Sequence, residues 1–130
     1  MLTVEVVSPS AILFSGEADM VVARTLGGGD IAFLTGHVSF LGALDIWPLR
    51  VIQDNGQVTF AVHGGFVEVS DDRVTVLSDI AEQSNGIDAA RATLARENAE
   101  TALRTDPDDT DAQLALHRAE VRLQVAADAS

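Results

Sequence analysis

The sequence predicts a two-part α+β chain. Residues 1–83 read as an N-terminal all-β sandwich, a flattened barrel of about ten short strands, and residues 84–130 as a C-terminal antiparallel α-helical hairpin. Three observations predict it. Up to Glu82, short apolar alternations of period two are broken by Gly, Asp, Asn or Pro roughly every eight to twelve residues, the rhythm of a sandwich or barrel. At Gln83, β-branched residues give way to alanine and arginine. Around Asp106-Pro107 a short break divides the remainder into two helical stretches, joined too closely to lie other than antiparallel.

Composition bounds the function. A chain of 130 residues with 47% apolar content fits one ordinary domain or two small ones and can bury a core. It has no cysteine, which excludes a disulfide framework and a thiolate metal site and leaves nothing to tie it to an oxidising compartment. Twenty acids face 8 basic residues, all arginine, for a net charge of -12. That field opposes phosphate backbones and anionic lipid, so neither nucleic acid nor a lipid surface is an expected partner. No apolar run approaches the ~20 residues that span a bilayer. Met1 leads into a strand pattern without a basic leader, so the expectation is a soluble protein working where it is made.

In the first strand Leu2, Val4 and Val6 point one way and Thr3 and Glu5 the other. Ser8-Pro9-Ser10 turns the chain, Ala11 to Phe14 extends it, and Ser15-Gly16 turns it again. Ala18, Met20 and Val22 then form one apolar face, while Val21 and Ala23 make the second face apolar too. A strand apolar on both sides predicts an interface. Gly27 to Gly29 with Asp30 allow a tight reversal, Ile31 to Leu34 form a short strand, and Gly36-His37 bends the chain before a second apolar run. Trp47 to Gln53 leads into Asn55-Gly56, which tolerates positive φ at both turn positions and predicts the clearest hairpin, with Val58, Phe60 and Val62 beyond it. Pro48 predicts a strand start or a sheet edge. Gly64-Gly65 predicts a bulge or a close backbone approach, and Asp71-Asp72 a turn into the last long strand.

Asp88 can cap a helix running to about Arg104, and the break at residues 105–109 caps a second one ending near Ala127. Ala90, Leu94, Ala102 and Leu103 are apolar on the first helix. The second carries a stripe of Ala112, Leu116, Ala119 and Leu123, with Leu114, Val121 and Val125 beside it. At about 0.8 kcal/mol per buried methylene, each Ala in place of Leu contributes roughly 2 kcal/mol less. Such a hairpin grips weakly, and an extended state is a small free-energy step away. The plainer alternative is that alanine reflects helix propensity alone and the hairpin stays folded.

The acid, short apolar strand and Gly-His turn between Asp30 and His37 resemble the epsilon subunit family of the rotary F-type ATP synthase. So do Gly64-Gly65-Phe66-Val67-Glu68-Val69 and Val74-Thr75-Val76-Leu77 followed by Asp79, Ala81 and Glu82. The likeness covers essentially the whole chain, with Thr35 and Ser39 standing where the family usually has proline. It implies a non-catalytic rotor subunit of a proton-translocating synthase, peripheral on the cytoplasmic face of the cell membrane. Its implied partners are the gamma stalk subunit, the membrane c-ring and, when the helices extend to block ATP hydrolysis, the alpha/beta catalytic subunits. The ring contact is implied on Arg24, Gly29, Gly36, His37, Val38 and Ser39, the stalk contact on an apolar sandwich face.

Ile87-Asp88-Ala89-Ala90-Arg91-Ala92 matches the Ile/Leu-Asp-x-x-Arg-Ala motif with which several bacterial members of that family bind ATP as a regulatory ligand. The implied site comprises Glu82, Ile87, Asp88, Arg91, Ala92, Arg118 and Arg122. Read without the family, Asp88 and Arg91 sit one turn apart, either positioned for base and phosphate or serving as an N-cap with its i+3 ion-pair partner. Arg118 and Arg122 have no acid one turn away, whereas Arg96 and Arg104 have Glu100. An uncompensated basic pair in so acidic a chain invites an external or cross-helix anion; an acidic stretch of a catalytic subunit and a solvated face are the other uses. Asn98 stands where some ATP-binding members carry a further basic residue.

No catalytic set emerges, and no cofactor is required. His37, His63 and His117 lack metal-ligand spacing and read as a turn residue, a strand-end residue and an exposed helix residue. No Gly-x-Ser-x-Gly elbow occurs, and Gly27-Gly28-Gly29 lacks the lysine and helix of a phosphate loop. The reading from another class is a free-standing binding module, a small sandwich with a helical appendage that takes a small molecule or peptide.

Overall fold

The computed structural model describes residues 1–128; Ala129 and Ser130, the end of the expected helical part, lie outside it. The strands are β1 (Leu2–Ser8), β2 (Ala11–Ala18), β3 (Met20–Thr25), β4 (Gly29–Leu34), β5 (Phe40–Gln53), β6 (Gly56–Ser70), β7 (Arg73–Leu77) and β8 (Ala81–Gln83). A 3-10 turn at Ser84–Gly86 leads to α1 (Ala89–Thr105) and α2 (Thr110–Ala127). A sandwich followed by two helices is the expected class. Eight strands rather than about ten appear among the described residues, because β5 and β6 each run through a residue that usually ends a strand. Pro48 sits inside β5, opposite Ala61, within a stretch where the ladder to β3 is interrupted. A sheet tolerates a missing donor at such an irregularity.

The strands form one path, β2-β1-β7-β6-β5-β3-β4, with β8 also on β6. Only β1 and β7 pair in parallel. Before Gly64-Gly65 the β6 residues in the sandwich core are Phe60 and Val62, with buried Ala61 turned toward the helices; after it they are Val67 and Val69. The inward parity therefore changes at the two glycines, and the β5–β6 ribbon turns a corner that lets it serve both layers. Gly65 has a φ of +118°, and a Cβ there would run into the Leu77 carbonyl, so the expected close backbone approach is present. Leu2, Val4, Val6, Val74 and Val76 of one layer meet Val21, Phe33, Leu49, Val51 and Phe60 of the other in a continuous core.

Three local expectations need correcting. Val21 and Ala23 are buried in that core and offer no outer interface, because the face of β3 that carries them packs against the opposite layer. The exposed apolar surface lies on the other layer, where Ile12, Val7, Leu77, Phe66 and Ala43 stand directly opposite one another across β2, β1, β7, β6 and β5. Ile12 is 68% exposed, Phe66 56% and Leu77 50%. The Asn55-Gly56 hairpin forms, but its turn is Asp54-Asn55, and Gly56 already pairs with Gln53 at a φ of 144°. The turn with two positive-φ residues is instead Asp71-Asp72, which short polar side chains tolerate.

The third correction concerns the helices. In α1 the buried residues are Ala92 and Ala99, a heptad apart with half-buried Ala95 and Ala102 between and beyond them; Leu94 is 57% exposed and Ala90 is exposed. In α2, Ala112 and Ala119 are buried with Leu116 and Leu123 half-buried, while Val121 and Val125 turn onto the sandwich and Leu114 faces out. The helices select small residues for close approach and leave leucines at the margins.

Candidate functional site

The hairpin docks through α2. His117, Val121 and Val125 recur at i, i+4 and i+8 on one helix face, and the two valines pack on Ala61, Ile46 and Trp47, with Ile87 closing the cluster. His117 is half-buried rather than exposed: its Nε2 donates to the Ile46 carbonyl at 2.7 Å and its ring stacks on Trp47 with centroids 6.2 Å apart. Arg24 also lies over Trp47, its guanidinium carbon 3.5 Å from the ring centroid, while its Nε pairs with Asp30 at 3.0 Å.

His63 is likewise no strand-end residue. It sits within β6, its side chain only 3% exposed, and donates from Nε2 to Glu82 Oε1 at 3.0 Å. The same carboxylate oxygen accepts from Arg122 Nε at 2.7 Å. Arg122 is therefore compensated, contrary to expectation; its acid comes from β8, 40 residues away in sequence, where no helical spacing could reveal it. Burial opposes ionisation of Glu82, but Arg122 and His63 outweigh it and hold its pKa below the ordinary carboxylate value. Burial first, and then the Arg122 charge, push His63 below the usual histidine value despite Glu82.

Beside this cluster a cavity of about 400 Å³ opens between the sandwich, the 3-10 turn and both helices. Glu82, Ile87, Asp88, Arg91, Ala92 and Arg122, all implied by the sequence, line it together, and Arg118, one turn back along α2, does not. Gly86 and Ala95 join the lining. Neither was named from the sequence, although Ala95 lies one turn beyond Arg91 on the same helix face. Asp88 caps α1 by accepting from the Arg91 backbone at 3.1 Å, but the i+3 ion pair with the Arg91 guanidinium does not form. Among the described residues Arg91 and Arg118 have no ion-pair partner, Arg96 meets Glu100 at 3.6 Å, and Arg104 turns to Thr101 instead. Two guanidiniums from different helices thus border one space with two carboxylates; Arg122 is paired with Glu82, and Arg91 keeps all its donors for a planar acceptor.

The residues implied for a ring contact fall in two groups. Arg24 and Gly29 flank the β3–β4 turn, whereas Gly36, His37, Val38 and Ser39 follow β4. The five strand residues after Gly29, Asp30 to Leu34, separate them, about 17 Å at 3.3 Å per residue. Arg24 is occupied by Asp30 and Trp47. The Gly36 N–H donates to Asp72 at 2.7 Å, fixing the second loop to the β6–β7 turn and leaving Val38 76% exposed. His37 is the expected turn residue, packed on Phe33 with centroids 4.9 Å apart.

The family models for the ATP synthase delta/epsilon chain match the beta-sandwich domain at residues 1–84 and the long alpha-helix domain at residues 86–127. An ATP synthase epsilon chain of Streptomyces griseus is 42% identical over 127 residues, 97% of this chain and 95% of that one. One of Bacillus velezensis is 40% identical over 126 residues, covering 95% of each. Among solved structures, a chain in the Euglena gracilis mitochondrial ATP synthase superposes with a TM-score of 0.81 at 23% identity, covering 97% of this chain and 81% of that one, which shows a shared fold. Because the matches span both parts, the free-standing binding module loses its support. The chain belongs to the ATP synthase epsilon-chain family.

Proposed function

We propose that this non-catalytic subunit of an F-type ATP synthase couples the gamma stalk subunit to the membrane c-ring and restrains ATP hydrolysis through its hairpin, with ATP as a regulatory ligand of the seam cavity. The observation that carries the reading is the convergence of Arg91 from α1, Arg122 from α2 and Glu82 from β8 on one space of about 400 Å³. A ligand bridging the two arginines ties both helices to the sandwich. It binds the docked hairpin and not the extended one, so it stabilises docking by mass action. The triphosphate supplies the charge for the arginines, and Glu82 and Asp88 are left to accept from the base. Arg118, outside the lining, is free to serve an acidic surface on the alpha/beta subunits when the helices extend.

The apolar row through Ile12, Leu77 and Phe66 is the surface for the stalk, since a contiguous exposed apolar patch marks a protein contact. The loops at Arg24 to Gly29 and Gly36 to Ser39 face the ring, which must be broad enough to meet both ends of β4. The chain is held peripherally, on the cytoplasmic face, through these subunits; no helix among the described residues is long and apolar enough to cross a membrane. Calorimetry with ATP should give heat that Arg91→Ala and Arg122→Ala each abolish, and silence at millimolar ligand sinks the nucleotide reading. Removing residues 84–130 should raise hydrolysis by the assembled synthase; unaltered hydrolysis sinks the brake.

A further inference from the structure

At the seam one carboxylate oxygen, Glu82 Oε1, serves both Arg122 Nε and His63 Nε2. The Nδ1 of His63 is buried and has no partner. A neutral ring with its proton on Nε2 suits this site. A protonated ring does not, because a second N–H would be enclosed without an acceptor and beside a guanidinium. The surrounding groups offer no relief. Glu82 faces the ring from β8 and Arg118 and Arg122 from α2. Across the ladder on β5 stands apolar Ile46, whose carbonyl already accepts from His117 of α2, and the Ile80 carbonyl accepts from the His63 backbone.

We propose that His63, Glu82 and Arg122 form a proton-sensitive latch, in which protonation of His63 favours release of α2 from the sandwich. The inference rests on the reading that the hairpin leaves the sandwich, and adds what triggers it. Departure of α2 removes both guanidiniums and uncovers the ring while Glu82 stays beside it, so the released state takes up the proton more readily. The docked His63 titrates below its ordinary value, chiefly through burial and then Arg122. The released state therefore binds more protons between the docked pKa and the free value of about 6.5. Docking is complete above that window and weakens as pH falls through it. Glu82 does not compensate, because Arg122 and His63 hold its docked pKa below the ordinary carboxylate value and release removes Arg122. A tenfold change in the docked-to-released ratio corresponds to about one pH unit between the two His63 values. Acidification would thus shift the subunit toward its extended, inhibiting form.

The full chain has no cysteine, so spin labels placed through Ser10→Cys and Gln124→Cys read the distance across the seam alone. Between about pH 7.5 and pH 5.5 the ratio of short-distance to long-distance populations should fall several-fold. His63→Gln, which keeps a donor toward Glu82, should hold the short distance at both values. Should His63→Gln fail to fold, the imidazole titration of the unsubstituted protein by NMR serves instead. It should show His63 titrating below free histidine and in step with the distance change. Acid release that survives His63→Gln, or a His63 that titrates normally while the distance stays short, overturns the latch. Absence of the long distance in the assembled synthase as well would instead overturn the mobile brake.

Discussion

The sandwich interior and the hairpin seam are filled with different residues, and the difference bears on the proposed motion of the hairpin against a docked sandwich. Inside the sandwich, Phe33, Phe60, Leu2, Leu49 and a set of valines are fully buried. Between the helices the buried residues are Ala92, Ala99, Ala112 and Ala119. At about 0.8 kcal/mol per methylene, an alanine contact returns only a small part of what a leucine or phenylalanine contact does. The two helices are also held unequally. Val121, Val125, His117 and Arg122 fix α2 to the sandwich, whereas α1 rests chiefly on α2. Loosening the polar latch frees both helices at once.

The largest effect that tests this contrast is Phe60→Ala. Phe60 is fully buried and meets Phe14 edge-on with centroids 6.1 Å apart. Its loss should cost about 3–5 kcal/mol, as for other aromatic truncations in cores. Denaturant unfolding followed by strand signal should show the whole loss. A cost near that of an exposed site would mean that the sandwich is not the rigid partner.

A smaller change sharpens the contrast from the other side. Asp88→Ala removes the cap of α1 and should cost about 1 kcal/mol. Native-state hydrogen exchange should confine the loss to α1 and α2, with amides of β1, β6 and β7 unchanged. Equal acceleration in the strands would make the two parts one cooperative unit and leave the hairpin no independent motion.

What was legible follows the range of the interactions. Asp88 as a cap, the break at Asp106-Pro107 and the close approach at Gly65 depend on neighbouring residues, and each appeared in the expected place. The sandwich class followed from alternation, yet the inward face of β3 did not, because Val21 and Val22 are equally apolar and only packing against the opposite layer decides between them. Six cavity residues were named through a motif and a family likeness. The contacts of His63, Glu82 and Arg122 join β6, β8 and α2, and those of His117 reach β5. No local period brings such residues together, so His63, read as a strand-end residue, and His117, read as an exposed helix residue, both lie at the seam.

The smallest expected effect on the free chain is also the most discriminating for function. Leu94 is 57% exposed on the outer face of α1, where Leu94→Ser should change stability by no more than about 0.5 kcal/mol. An exposed leucine on a helix that otherwise buries alanine gains nothing in the docked form. In an extended helix the same residue presents apolar surface to the alpha/beta subunits, and its loss there removes a buried side chain worth about 1.5–3 kcal/mol. Leu94→Ser should therefore leave thermal unfolding of the isolated subunit unchanged while weakening its inhibition of hydrolysis in the assembled synthase. Inhibition that persists at full strength would mean that the extended helix engages its partners through another face, with the alanine seam, uncovered when the hairpin opens, as the next surface to substitute.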